Sequence, residues 1–366
     1  MPFLMISLFK KWCSKKRFSY LAAWIVFTIY AVPVVHAAPY HLGQGYPLPF
    51  YGLGAGGYLS VQGSAQHGEG DTLSVQDISL FLHKDITPDW HFFTEIELGT
   101  PIQFVDGSHS TRKSDLDVER FYVDHNLSAR TTLRLGKFLT PVGRWNQIHA
   151  DPLVWTVSRP LTTSTAFAKN ASGAEIYGTW PFAESSIDYQ LYLDDSEHLD
   201  PSEGHELVYT NPQLLPNPPN AFDQGIGGRL LYRTFNDDLQ IGLSIGHYAM
   251  KDQPGYKNLV GTDVFYTYKR MELQGEAVYR QDAGDARRKE WGGYLQMVVP
   301  IVGDFYGVVS HERYKAEIFN RPVNSDVLDI TYRPIPPFSI KIEHRHSSGE
   351  VLLAPSGWFV SMALLF

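Results

Sequence analysis

The sequence has little cysteine, few basic residues and no long apolar run beyond its first forty residues. Its only cysteine, Cys13, lies near the amino terminus, so disulfides cannot stabilise the part that follows. Downstream of residue 37 there is no run of about eighteen uncharged apolar residues, which excludes a transmembrane helix there. Acidic residues outnumber basic ones, 39 to 31, so we do not expect a nucleic-acid binder.

Residues 1–37 are predicted to be a secretory signal peptide. Five basic residues come first, an uncharged apolar stretch covers residues 20–35, and a cleavage site follows, with Ala38 as the first mature residue. An uncleaved membrane anchor is the alternative, because the apolar stretch is slightly long for a signal. Without the five positive charges, the net charge changes from −8 to −13.

Beyond this segment, apolar and polar residues alternate strictly. Phe338, Ile340 and Ile342 stand between polar or charged neighbours, and residues 271–280 repeat the pattern. A period of two predicts β-strands with one apolar face. The other face repeatedly carries full charges, in a secreted chain rich in Tyr, Phe, Trp and Gly. We therefore predict a membrane barrel whose charged face lines a water-filled interior.

The alternating segments predict about sixteen strands across residues 56–366, an even number as in bacterial single-chain barrels. Their connections are alternately short, as at residues 86–89, and long, as at residues 101–115 and 196–223. This parity predicts a transmembrane antiparallel up-and-down β-barrel with both termini in the periplasm. Residues 38–55 would then form a periplasmic amino-terminal segment.

Two segments of the sequence resemble segments of outer-membrane proteins. Residues 358–366 form an alternating strand with a terminal Phe366, which resembles the assembly signal of outer-membrane barrels. Residues 133–143, LRLGKFLTPVG, resemble the strand that leads into the third loop of porins similar to the phosphate-selective porin family. The resemblance implies passive diffusion of small hydrophilic solutes or ions, a homotrimer, and a third outer loop that folds inward and narrows the lumen.

The third outer loop of this chain is residues 139–170. It contains apolar side chains such as Trp145 and Trp155, which a loop packed on the inner wall would bury. A hydrophobic lid between subunits is the alternative interpretation. The candidate side chains for the constriction are Arg144, His149, Asp151, Arg159 and Lys169.

The strand register also predicts which charged residues line the lumen. Acidic positions outnumber basic ones, so the ladder of bases that phosphate selectivity needs is not expected. We predict a weakly cation-selective or non-selective pore, although residues 118–124 fit neither face of a strand. The predicted lumen-lining residues are Arg134, Arg229, Arg233, Glu272, Glu276, Arg280, Lys341, Glu343 and Arg345.

Three other segments are weaker candidates for a functional site. The acidic fourth outer loop, from Asp194 to Glu206, suits a hard cation but has no calcium-loop spacing, and a solvated surface is the alternative. His344 and His346 near the outer rim lack a recognisable nucleophile and orienting group. The basic residues 285–289 could contact lipid headgroups, but we favour a solvated turn.

We therefore predict no catalytic residue, no metal and no cofactor. The expected partners are outer-membrane lipids, lipopolysaccharide and small solutes or ions. A barrel enzyme, or a non-conducting adhesion or scaffold barrel, remains the alternative.

Overall fold

The computed structural model describes residues 45–48, 52–109, 115–148, 150–200, 221–234 and 236–366. The predicted signal peptide lies outside these residues, as does most of the predicted periplasmic segment. In chain order the strands are β1 (Tyr46–Pro47), β2 (Leu53–Gln66), β3 (Thr72–Thr87), β4 (Trp90–Val105), β5 (Ser108–His109), β6 (Asp115–Ser128), β7 (Thr131–Leu139), β8 (Asn170–Pro181), β9 (Ser185–Asp194), β10 (Phe222–Thr234), β11 (Leu239–Met250), β12 (Tyr256–Tyr268), β13 (Met271–Asp282), β14 (Lys289–Val302), β15 (Phe305–Lys315), β16 (Val323–Ile335), β17 (Phe338–Gly349) and β18 (Gly357–Leu365).

Sixteen of these strands form one closed antiparallel barrel. Each pairs with its neighbour in sequence order, and β18 pairs with β2, so the sheet closes on itself and leaves no free edge. The two short strands stand beside this ring: β1 pairs with the start of β2, and β5 pairs with the end of β4. Three short helical turns complete the described structure: α1 (Trp145–Ile148), a 3-10 turn (Leu161–Thr163) and α2 (Ser196–Leu199).

The predicted fold is confirmed as an antiparallel β-barrel of sixteen strands. Each predicted strand corresponds to an observed one, and the barrel begins at Leu53 rather than at the predicted residue 56. Short turns at residues 88–89 and 336–337 lie at one end of the barrel, and longer connections such as residues 140–169 lie at the other. No helix among the described residues is long and apolar enough to cross a membrane.

The strands divide their side chains between two surfaces. In β11, Leu243 and Ile245 are 51% and 57% exposed, whereas Ser244 between them is fully buried. A closed barrel has one outer and one inner surface, so the exposed apolar side chains face outward and the polar ones face the interior. An apolar outer surface of this kind suits lipid rather than water.

A β-bulge explains the predicted strand that fitted neither face. Glu95 of β4 pairs with Arg120 of β6, and the next pair is Ile96 with Val118, so Glu119 is an extra residue in β6. Glu119 is buried, and Arg120 contacts Glu95 at 2.6 Å on the interior side. Two consecutive residues therefore leave the outer face, which breaks the alternation.

Candidate functional site

Residues 140–169, which we call the β7–β8 segment, join two neighbouring strands but contact distant ones. The segment forms hydrogen bonds or ring contacts with every strand from β11 to β18 and with β2. In the closed sheet β15 and β16 lie opposite β7 and β8. Most described residues of the segment are buried.

Glu276 of β13 fixes the start of α1. Its Oε1 accepts hydrogen bonds from the backbone amides of Arg144, at 3.1 Å, and Trp145, at 2.6 Å. Gly143 precedes them with a φ of +65°, and a Cβ at this position would lie 2.0 Å from Oε2 of Glu276. Gly143 therefore permits both the left-handed backbone and the close approach of the carboxylate.

Two more carboxylates of the wall bind the next part of the segment in the same way. Glu343 of β17 accepts hydrogen bonds from the amides of Val157, at 2.7 Å, and Ser158, at 3.0 Å. Glu312 of β15 accepts those of Leu161, at 3.0 Å, and Thr162, at 2.8 Å. Each carboxylate thus satisfies two successive buried N–H groups, which would be costly to leave without a partner.

Basic residues of the wall bind the carbonyl groups of the same segment. Nζ of Lys341 donates to the carbonyl oxygens of Asp151, at 2.7 Å, and Thr156, at 3.2 Å. Arg333 donates to two carbonyl oxygens within residues 152–154, both at 3.0 Å. Acids of the wall therefore bind the amides of the β7–β8 segment, and bases of the wall bind its carbonyls.

The apolar residues of the segment pack against the same chain. The ring of Trp145 lies 6.1 Å from that of Tyr294, and the ring of Trp155 lies 4.9 Å from that of Tyr306. The indole of Trp155 also donates to Glu272 at 2.6 Å. Both tryptophans are buried within the barrel, so the alternative of a lid between subunits is not needed to cover them.

An apolar cluster lies at the end of the barrel that carries the long connections. Phe167 of the segment packs there with Phe138, Tyr248, Tyr314 and Leu353, which come from β7, β11, β15 and the connection before β18. The hydroxyl of Tyr248 donates to the carbonyl of residue 166. The cluster ties the end of the segment to the surrounding wall.

The two arginines predicted for the constriction differ in their contacts. Arg144 donates to Gln240 at 3.2 Å, and its guanidinium lies 3.8 Å from the ring centre of Phe265, so it faces the wall at β11 and β12. Arg159 donates to the carbonyl of Thr163 at 2.7 Å and to Asn146 at 3.1 Å. Arg159 therefore links two parts of the segment to each other.

Two further constriction candidates, Asp151 and Lys169, lie near β2 and β6. Asp151 accepts a hydrogen bond from Gln62 of β2 at 2.9 Å. Lys169 forms an ion pair with Glu119 of β6 at 2.8 Å. His149 lies outside the described residues.

The nine residues predicted to line the lumen all lie on the interior side of their strands. Four of them, Arg134, Arg229, Arg233 and Arg280, form ion pairs with carboxylates at 2.8, 2.6, 2.8 and 2.5 Å. Four others bind the β7–β8 segment, as described above: Glu272, Glu276, Lys341 and Glu343. The ninth, Arg345, donates to the carbonyl of Pro355 at 2.9 Å.

The prediction missed the aromatic partners of Arg134. Its guanidinium lies 3.8 Å from the ring centre of Tyr122 and 4.8 Å from that of Tyr177. Tyr122 follows the bulge of β6, so alternation could not place it. Tyr177 lies two positions after Glu175 in β8 and therefore shares its face. Alternation alone would have placed Tyr177 on the interior side.

The minor candidates of the sequence have ordinary surroundings. His344 lies on the outer surface with its ring 4.6 Å from that of Trp358, and His346 is exposed. No group of three or more His, Cys, Asp or Glu side chains among the described residues is placed to hold a metal ion. The acidic loop is only partly described, since Glu203 and Glu206 lie outside the described residues.

Two arginines of the basic connection between β13 and β14 form ion pairs. Arg287 contacts Asp285 at 3.1 Å, and this hydrogen-bonded pair lowers the pKa of the Asp285 carboxyl. Arg288 contacts Glu317 at 2.6 Å. These pairs favour the solvated turn over a lipid contact at these two arginines.

Comparison with known proteins gives a distant sequence relative and solved structures of similar fold. No protein-family profile matches the chain. An uncharacterised protein of Aquifex aeolicus (strain VF5) is 24% identical over 340 residues, which cover 80% of this chain and 75% of that protein. This relative carries no functional information.

Several similar solved structures are porins. The anion-selective porin of Comamonas acidovorans has a TM-score of 0.59 at 11% identity, covering 86% of this chain and 99% of its own. OmpF of Salmonella typhi, in complex with daunomycin, has a TM-score of 0.59 at 9% identity, covering 86% and 97%. A variant of the Rh. blastica porin reaches 0.52 at 10% identity. The chain therefore has the fold of these outer-membrane porins.

Proposed function

We propose that this chain is a porin of a bacterial outer membrane, through which small hydrophilic solutes or ions diffuse passively. The observation that carries the proposal is the division of a closed sixteen-stranded wall into an exposed apolar outer face and a charged inner face. A barrel of this size leaves room for an aqueous channel. Diffusion needs neither a cofactor nor a covalent step.

The β7–β8 segment is the proposed constriction. Its contacts with the far wall support this role, because a chain that leaves β7 and hydrogen-bonds to β15 and β17 crosses the interior. Arg144, Asp151 and Lys169 are half-buried, so part of each side chain remains for solutes to meet. His149, the other candidate, lies outside the described residues. Arg159 would act indirectly, by holding the shape of the segment.

The proposed pore is weakly cation-selective or non-selective. Acidic residues outnumber basic ones on the inner face, but Glu276, Glu312 and Glu343 each accept two amide hydrogen bonds from the segment. The excess of acidic over basic residues on the inner face is therefore larger than the excess that a solute meets. A likeness to phosphate-selective porins would be limited to the barrel and to the strand that leads into its third loop. It would not include the row of basic residues that phosphate selectivity needs.

The remaining parts of the proposal follow from the location in the outer membrane. Residues 1–37 would direct secretion, the part of the predicted periplasmic segment that precedes Leu53 would lie in the periplasm, and lipid with lipopolysaccharide would surround the barrel. The homotrimer implied by the porin resemblance is part of the same proposal.

Single-channel recording in planar bilayers tests the proposal. The purified, folded barrel should give stepwise currents that are proportional to voltage. A folded barrel that gives no current would favour a second candidate, a non-conducting adhesion or scaffold barrel. The extensive burial of the β7–β8 segment is the observation in favour of that candidate.

A further inference from the structure

Three basic side chains lie together on the outer surface of β14 and β15, near the end that carries the long connections. Lys289 and Arg313 are exposed and Lys315 is half-buried, and all three alternate with interior residues such as Glu290 and Glu312. We call Lys289, Arg313 and Lys315 the outer basic patch. It lies on the surface that faces lipid in the proposed function.

The pairing of the two strands brings these charges together. Lys315 stands directly opposite Trp291, which follows Lys289 by two positions on the same face. Arg313 stands opposite Gly293, and its guanidinium lies 5.7 Å from the ring centre of Trp291. Because Gly293 has no side chain, Arg313 can lean toward the indole, and the strand positions of Lys289 and Lys315 adjoin that of the same tryptophan.

The patch begins where the apolar outer band ends. Two residues below Arg313 on the same face is His311, paired with Asp326 at 2.7 Å, and below these lie Val309 and Leu328. Both apolar side chains are at least 49% exposed. The basic charges therefore lie at the height where acyl chains give way to lipid headgroups.

No acidic side chain among the described residues forms an ion pair with any of the three cations, whereas the nearby Arg287 and Arg288 both have carboxylate partners. Three like charges within one patch repel one another unless an anion lies among them. Phosphate is the anion that a membrane surface presents to Lys and Arg.

We infer that the outer basic patch binds the phosphate groups of an anionic glycolipid in the outer leaflet, with Trp291 contacting its apolar part. This inference rests on the proposed outer-membrane location. It does not depend on whether the barrel conducts.

The test is a binding titration of the full-length, folded protein in a zwitterionic detergent, with fluorescent bis-phosphorylated lipid A as the probe. The triple variant Lys289→Gln, Arg313→Gln, Lys315→Gln should bind about a hundredfold more weakly, at about fivefold per basic residue. Lys84→Gln should bind like the unchanged protein, because Lys84 shares the face of the exposed Ile78 and Leu80 in β3 and lies at the short-turn end. Should the triple variant fail to fold, the double variant Lys289→Gln, Lys315→Gln should bind about 25-fold more weakly.

Two further arms identify the source of the phosphate. Dephosphorylated lipid A should bind poorly, and millimolar inorganic phosphate should compete only weakly, because it lacks the acyl chains. Equal binding of the variant and the unchanged protein would overturn the inference, as would equal binding of the dephosphorylated lipid. Effective competition by inorganic phosphate would assign the patch to a soluble anion instead. Since the titration measures no current, its result is independent of the channel recording.

Discussion

Two parts of the inner wall carry the same kinds of charge but use them differently. On β4 to β10, bases pair with acids of the wall itself, as in Arg120 with Glu95 and Arg233 with Asp188; we call this the paired wall. On β13 to β17, Glu276, Glu312, Arg333, Lys341 and Glu343 bind the backbone of the β7–β8 segment; we call this the anchoring wall.

Individual charged side chains of the inner face differ widely in exposure. The side chain of Arg233 in the paired wall is 31% exposed, whereas Lys341 and Glu343 in the anchoring wall are fully buried. A charge on the inner face of a barrel is therefore not by itself a charge that a solute meets. The residues that hold the proposed constriction must be separated from those that face the proposed channel before ion selectivity is derived from a count of charged residues.

The largest effect on conductance is expected from deleting part of the β7–β8 segment, which the anchoring wall binds. Deletion of residues 145–158 should raise the single-channel conductance several-fold, because the segment would no longer cross the interior. Heat-modifiable migration in gels checks that the barrel still folds. Unchanged conductance of the folded deletion variant would mean that solutes do not pass the segment.

Single substitutions compare the two walls by their effect on stability. Glu343→Ala leaves the amides of Val157 and Ser158 without their acceptor and should lower the free energy of unfolding by about 1–3 kcal/mol. Glu343→Gln keeps one acceptor oxygen and should cost less. In the paired wall, Asp188→Ala removes a partly exposed ion pair and should cost about 1 kcal/mol or less.

Urea titration of the three variants in detergent micelles, followed by tryptophan fluorescence, measures these differences. If Asp188→Ala proves as destabilising as Glu343→Ala, the distinction between the two walls has no energetic basis.

The smallest expected effect concerns ion selectivity. Arg233→Gln should shift the reversal potential in a KCl gradient toward cation preference, because Arg233 is accessible from the interior. Lys341→Gln should shift it less, since Lys341 is fully buried beneath the segment. The opposite order would show that the anchoring wall also faces permeant ions.

The strands were predictable and the anchoring contacts were not, for a physical reason. Alternation is a local signal, so β17 and β13 could be placed from a few residues each. The amides that Glu276 and Glu343 bind lie 131 to 186 residues away in the chain. The alternation in those two strands gives no sign of such a contact.

The bulge at Glu119 and the packing of Tyr122 could not be predicted from the sequence either. An extra residue shifts the phase of a strand, and only the pairing with β4 shows where the shift occurs. The loop entry near Gly143 was recognised from its resemblance to porins. Its close approach to Glu276 became visible only with both strands in place.

If solutes pass through the barrel interior beside the β7–β8 segment, a bulky group attached to that segment should obstruct them. Leu153 is 37% exposed within the segment. The only native cysteine lies in the predicted signal peptide, so Leu153→Cys adds a single reactive thiol. Modification by a bulky charged thiol reagent during single-channel recording should lower the conductance, whereas the same modification of Leu243→Cys on the outer face should not. Fully modified Leu153→Cys channels with unchanged conductance would contradict the account.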